Sequence, residues 1–299
     1  MSNIQIVEKQ GKEIGKNVVI LVGVHGNEVC GVKAVDQLLP ILQIKSGNVM
    51  FIYANLEAIK QRKRFIEQNL NRCFLKKQPL EIKNSIEGKT AQEIIPYLDK
   101  ADVLLDIHAS FTKDSIPFVI CDESNIEEAQ IFDTEKIVCN LDPFEPGSTD
   151  YYMNLQKKLG FCFECGYVGD PKTNEIAQKA ILDFLIYYGC IEGITCPTPR
   201  KEVIKITGLY KNKLGSFRRA RYFKDFEKVE DKTLIGFDGR KKIYGENNKI
   251  VLFVRDRDTC NEECFLIGEY IKMNSYDAFQ NQRNIIKLNK VESSEGGAK

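Results

Sequence analysis

Residues 18–22 read Val-Val-Ile-Leu-Val, five apolar and mostly β-branched side chains in a row. A strand with one face in water alternates apolar and polar residues. An unbroken run such as this one needs cover on both faces, which points to the interior of a parallel sheet. Residues 29–42 follow with Val32, Val35, Leu38 and Leu39 at helical spacing, so they predict a helix, with Pro40 near its end tending to shorten it. Residues 49–54 predict the next buried strand. A strand, a helix and a strand in succession set the class as α/β.

Between the first strand and the first helix lies Gly23-Val24-His25-Gly26-Asn27-Glu28. Open α/β sheets place their chemistry at the carboxyl ends of strands, where this segment sits. His25 offers a neutral nitrogen and Glu28 an anionic oxygen. Both suit zinc, whose catalytic sites often combine two histidines with one carboxylate and leave a position for water. A third ligand has to be another histidine, and the chain has only 2. The second, His108, directly follows the strand-like run at 103–107. Asp106 lies two residues earlier, on the same face of an extended strand, where it can orient the His108 imidazole.

Two further positions carry chemistry. Asn71 and Arg72 stand side by side within an apolar frame, Leu70 and Cys73-Phe74. An amide beside a guanidinium can fork a carboxylate. Glu164 ends a short apolar strand at 161–163, where a carboxylate is costly unless it is paired or faces a cavity. It is a candidate general base.

The remaining chain fills in the class. A short strand is expected at 4–7, a turn at 11–16, an irregular polar stretch at 55–74 and a loop at 78–89. Helices are expected at 90–98, ended early by Pro96, and at 124–132 and 173–188, with a loop then a helix over 147–159. Short strands are expected at 117–121 and 137–139. Residues 191–200, with Gly193, Pro197 and Pro199, mark a boundary. Beyond it come β-rich runs at 202–206, 234–237, 242–244 and 250–254, separated by turn signals. The expected layout is a catalytic unit over 1–195, a smaller β-rich unit over 196–292 and a disordered tail at 293–299.

Composition narrows the function classes. With 43 Lys and Arg against 42 Asp and Glu, the net charge is +1. No electrostatic footprint argues for nucleic acid or an acidic membrane surface. No apolar run is long enough to span a bilayer. The start, Met1-Ser2-Asn3-Ile4, has no signal-like apolar core. The 10 cysteines therefore read as reduced thiols of a cytoplasmic protein. Cys162 with Cys165, and Cys260 with Cys264, have spacings found in zinc knuckles. The first pair sits in a strand-like run rather than a turn-rich loop, which argues against a knuckle.

With these residues in place, the chain resembles the succinylglutamate desuccinylase/aspartoacylase family, an amidohydrolase branch of the zinc carboxypeptidase fold. The resemblance rests on GVHGNE at 23–28, LNRCF at 70–74, LLDIHAS at 104–110 and CFECG at 162–166. It implies a central mixed sheet flanked by helices, followed by a smaller C-terminal β domain. It also implies one Zn2+ per chain held by His25, Glu28 and His108, with Glu164 as general base and acid. Arg64 would polarise the scissile carbonyl. Asn71 and Arg72 would hold the α-carboxylate of a small N-acyl amino acid, with a C-terminal tyrosine, Tyr270 or Tyr276, reaching the substrate.

Aspartoacylase carries an arginine about ten residues before its glutamate, which grips the aspartate side chain. Here the stretch 154–158 reads Asn-Leu-Gln-Lys-Lys. Lys157 or Lys158 could supply a point charge but not a planar fork. The expected activity is hydrolysis of an N-acyl amino acid, with zinc carboxypeptidase action as the alternative. A non-catalytic binding protein would have no use for Glu164. The residues leave a homo-oligomer open.

Overall fold

Val18 to Val22 are each 0% exposed, as a strand covered on both faces requires. The structure is a computed structural model and describes residues 2–199 and 201–272. In chain order the strands are β1 (Gln5–Gln10), β2 (Glu13–Val22), β3 (Ser46–Tyr53), β4 (Val103–Ser110), β5 (Phe118–Cys121), β6 (Lys136–Cys139) and β7 (Leu159–Tyr167). They continue as β8 (Glu202–Lys211), β9 (Phe217–Arg219), β10 (Glu227–Val229), β11 (Leu234–Asp238), β12 (Lys241–Tyr244), β13 (Lys249–Leu252) and β14 (Glu263–Ile271). The helices are α1 (Cys30–Leu38), α2 (Leu56–Gln61), α3 (Leu80–Asn84), α4 (Ile86–Lys100), α5 (Thr149–Leu155) and α6 (Thr173–Tyr187).

A large mixed sheet runs in the order β1-β3-β2-β4-β7-β5-β6-β8-β14-β13-β10, and a small sheet holds β12-β11-β9. Strands β3, β2, β4 and β7 are mutually parallel, so their carboxyl ends share one edge. Alternate residues of β2 serve opposite faces. Val18, Ile20 and Val22 join a core with Ala34, Val35 and Leu38 of α1 and Ala180, Ile181 and Phe184 of α6. Val19 and Leu21 join another with Ala91, Ile94 and Leu98 of α4 and Met153 of α5. The sheet is thus sandwiched between helices, the architecture expected of the class.

Several elements differ from expectation. The turn expected at 11–16 is largely the exposed start of β2, paired with β3 at Glu13 and Ser46. The loop expected at 78–89 contains α3 and the start of α4. Polar residues there are good helix formers, and the Ser85 hydroxyl caps α4 by accepting from Gly88 N at 3.0 Å. Pro96 lies inside α4 without ending it. The helix expected at 124–132 is two short 3-10 turns, Glu123–Asn125 and Glu128–Ile131. The β-rich segment supplies the small sheet and also adds strands to the large one, where β8 pairs in parallel with β6 from Lys136–Glu202 to Cys139–Lys205. The tail at 293–299 lies outside the described residues.

Candidate metal centre and active site

Adjacent parallel strands deliver the site. In register, Val22 of β2 faces Ile107 of β4, and His108 of β4 faces Glu164 of β7. Past Val22 the chain turns sharply at Gly23, whose φ of 70° favours glycine. At Gly26 an added Cβ would fall 2.0 Å from the Ala58 backbone carbon, so only glycine lets this loop lie against α2. Gly26 N donates to Arg64 O at 3.3 Å. His25 and Glu28 are thereby turned inward, each 3% exposed, beside His108 at 1%.

Among the described residues, His25, Glu28 and His108 form a group able to hold a metal ion, with ligand atoms within 4.8 Å of one another. Both imidazoles present Nδ1 to Glu28: His25 to Oε1 at 2.8 Å and His108 to Oε2 at 2.9 Å. The Asn69 side-chain oxygen already accepts from Asn71 N at 3.1 Å, so at 2.9 Å it also accepts from His25 Nε2. That leaves a lone pair on His25 Nδ1, which makes no hydrogen bond although Glu28 Oε1 is near. Burial and the nearby Arg64 charge lower the His25 pKa to about 4, so the ring is neutral at pH 7. A nitrogen lone pair thus confronts a carboxylate oxygen, an arrangement that a cation between them relieves. The donor set and its geometry fit a divalent ion such as zinc.

His108 is held from behind. Its Nε2 lies 3.1 Å from Asp106 Oδ2, which also accepts from Thr149 Oγ1 at 2.6 Å. Burial opposes a charge on His108, but the Asp106 carboxylate outweighs it and raises the pKa well above the usual range. Arg64 Nη1 donates to Glu28 Oε1 at 2.7 Å. The loop carrying Arg64 hangs on buried Glu87, which accepts from Ile66 N, Glu67 N and Gln68 N at 2.7, 3.1 and 3.0 Å. Glu164 lines the same cleft, and its Oε2 has no hydrogen-bond partner. Burial first, and the Glu28 charge next, push its carboxyl up to about 8.

Asn71 and Arg72 also line the cleft, with Asn71 Nδ2 3.4 Å from His108 Nε2. The Arg72 fork is already engaged. Its Nε and Nη2 donate to Glu263 at 3.3 and 3.0 Å, and Nη2 lies 2.9 Å from Glu145 Oε2. Other expectations are corrected. Tyr270 does not line the cleft; it borders a separate cavity with Lys201, Val203 and Lys228. The reason is strand length: β14 meets the cleft through Glu263, Phe265 and Leu266 near its start, whereas Tyr270 lies at its other end. Tyr276 lies outside the described residues. Lys158 donates to Leu98 O and Asp99 O, Lys157 is exposed, and neither lines the cleft. Asn154 donates to Asp142 Oδ2 at 3.0 Å. Cys162 and Cys165 enter different core clusters, so their side chains do not converge as a knuckle.

Sequence reasoning missed Asn69, Glu87, Glu145, Asp225 and Glu263. Asp225 accepts from Ser110, Thr112 and Ser115 hydroxyls at 3.1, 3.0 and 2.8 Å, which ties the C-terminal segment to the loop after His108. The Asn-Leu-Asn doublet at 69–71 was a usable signal for Asn69. The others come from segments distant in sequence and carry no local mark.

A helix-flanked α/β sheet that gathers a His-Glu-His group and a half-buried glutamate at the carboxyl ends of its strands has the make-up of a hydrolytic enzyme. More particularly, the chain belongs to the succinylglutamate desuccinylase/aspartoacylase family, whose catalytic-domain profile matches residues 14–187. A probable aspartoacylase of Nostoc sp. is 28% identical over 277 residues, covering 80% of this chain and 90% of that one. A succinylglutamate desuccinylase of Vibrio campbellii is 35% identical over 81 residues, about a quarter of each chain. The crystal structure of succinylglutamate desuccinylase from Vibrio cholerae superposes with a TM-score of 0.73 at 16% identity, over 90% of this chain and 86% of that one. It shares the fold.

Proposed function

We propose that the protein is a zinc-dependent deacylase that hydrolyses the amide bond of a small N-acyl amino acid. The observation that carries this reading is the unbonded His25 Nδ1 facing Glu28 Oε1 at 2.8 Å, with Glu164 paired in register to His108. His25, Glu28 and His108 would hold the ion, one per chain. When bound, it supplies Lewis acidity, which lowers the pKa of water towards about 7 and polarises a carbonyl.

The chain's own groups do the rest. Glu164 takes the proton of the attacking water and later hands it to the leaving amine. Burial and the Glu28 charge favour the protonated carboxyl, and a nearby divalent charge favours its ionised form. A carboxyl held between these opposed influences suits both roles. Arg64, on the rim of the centre, donates to the oxyanion that develops as the carbonyl is attacked. Asn71 sits where its amide can orient the amino-acid part of the substrate. The apolar lining, including Phe111, Leu209 and Phe265, excludes water from the reacting groups.

The test is amine release from N-formyl, N-acetyl and N-succinyl amino acids with acidic, basic, neutral and aromatic side chains, using zinc-loaded protein. Turnover is expected for at least one member, falling about 100- to 10,000-fold in Glu164→Gln. Zinc-loaded protein inactive on the panel but active on N-blocked peptides would replace this reading with a zinc carboxypeptidase.

A further inference from the structure

Arginines converge on the cleft: Arg64, Arg72, Arg255 and Arg257 all line it. Most are committed to the protein itself. Arg64 pairs with Glu28. Arg72 pairs with Glu145 and Glu263 and also donates to Asn71 O at 2.8 Å. Arg257 donates through Nε to the Glu263 backbone oxygen at 2.7 Å. The guanidinium of Arg255 has no ion pair and no hydrogen bond among the described residues; its contact is with the Phe253 ring, 5.2 Å from the centroid. Its backbone is nonetheless fixed, with Arg255 N donating to Cys264 O at 2.9 Å. It is a positioned cation without an anion.

The charge around it makes the lack of a partner costly. Burial first, then the Arg64 and Arg257 charges, hold Arg255 below the usual arginine range, against the pull of Glu145 and Asp225. Like charges in a partly desolvated cleft repel more strongly than they would in water. A carboxylate entering between them reverses that sign, and a planar guanidinium can grip it with two parallel hydrogen bonds.

We propose that Arg255 receives a carboxylate of the substrate. This deepens the deacylase reading and rests on it. The carboxylate could belong to the amino acid backbone, to its side chain or to a dicarboxylic acyl group. In each case the recognition is the same, a guanidinium fork on a carboxylate, supplied from the segment between β13 and β14 rather than from position 154.

The experiment compares wild type, Arg255→Leu and Arg255→Lys on the best N-acyl amino acid of the panel. It adds analogues in which each carboxylate in turn becomes a carboxamide. Arg255→Leu is expected to raise KM about 10- to 100-fold, with a smaller change in kcat, as loss of a charged hydrogen-bonding pair predicts. Arg255→Lys should recover part of that loss. The penalty should vanish on the one analogue lacking the carboxylate that Arg255 holds, which identifies its source. Heat-unfolding midpoints for each variant separate a binding defect from a folding one. Calorimetric binding of succinate and L-aspartate gives a readout independent of turnover, with Arg255→Leu expected to bind whichever of them binds wild type at least 10-fold more weakly. Failure of wild type on every substrate would refute the deacylase reading while leaving this binding comparison intact. An equal KM penalty on all analogues, or unchanged carboxylate binding in Arg255→Leu, overturns the proposal.

Discussion

Asp150 stands on the cleft wall at 4% exposure, where burial first and the neighbouring Asp142 charge second push its carboxyl from 3.8 up to about 6. Between those values the folded protein binds more protons than the unfolded chain, so this group's contribution falls as pH rises from about 4 to about 6. Above pH 6 the cost is complete, on the order of 2–3 kcal/mol. Asp150→Asn is therefore expected to melt higher than wild type at pH 7, with the gap closing near pH 4; equal gaps at both pH values would contradict the assignment. A carboxylate kept at such a position costs stability at the cleft. At this scale, legibility in the sequence tracks local context. His25, Glu28, His108, Asp106 and Glu164 could be singled out because each lies in or just after an apolar strand run. Arg255, Glu145 and Glu263 could not, since only the folded chain shows which arginine has found a carboxylate. Tyr270 misled because closeness to the C-terminus says nothing about which end of a strand meets the cleft.

The segment between α2 and α4 shows what elements contribute. Glu87, 0% exposed, lies in the first turn of α4 and accepts three backbone N–H groups of the Arg64 loop as well as Asn55 Nδ2 at 3.2 Å. Asn55 in turn caps α2 through Ala58 N at 3.4 Å. One carboxylate thus fixes where Arg64 and Asn69 stand. Glu87→Ala removes the acceptor of four donors, the three loop N–H groups and the buried Asn55 amide, hydrogen bonds worth about 0.5–1.5 kcal/mol each. The expected result is a heat-unfolding midpoint lower by several degrees, with faster proteolytic cleavage in the loop at 62–69. An unchanged cleavage pattern would show that the loop is held by other means. The α1, α6 and parallel-strand segments were readable because their apolar spacing is imposed by burial on one or two faces. The α2, α3 and early α4 segments are largely polar and leave a weaker periodic trace; α2 and α4 are held at their starts by the Asn55 and Ser85 side chains.

Across the whole molecule, the class and its central sheet followed from runs of apolar residues, whereas the continuity of that sheet did not. Strand β8 extends it by pairing with β6, and Phe118, Ile120 and Val138 pack with Ile204, Phe226, Ile250 and Leu266 in one core. Such pairings join segments far apart in the chain, and no periodicity within either segment records the partner. Arg72 with Glu263, and Ser110 with Asp225, cross the same junction. The cleft is therefore walled from both sides of the boundary at 191–200, and among the described residues no helix is long and apolar enough to cross a membrane.

The confrontation between His25 Nδ1 and Glu28 Oε1 also has a thermodynamic reading. A native state that keeps two acceptors face to face is spring-loaded towards any cation that the unfolded chain binds less well. By mass action, an ion at 100 times its dissociation constant adds about 2.7 kcal/mol to folding. The melting temperature should climb with added zinc, steeply to one equivalent and then slowly with the logarithm of free zinc, fall on treatment with a chelator, and respond little in His25→Gln. A melting temperature indifferent to zinc in the unaltered protein would count against the metal centre. In that sense a heat scan of this protein is also a titration of its metal supply.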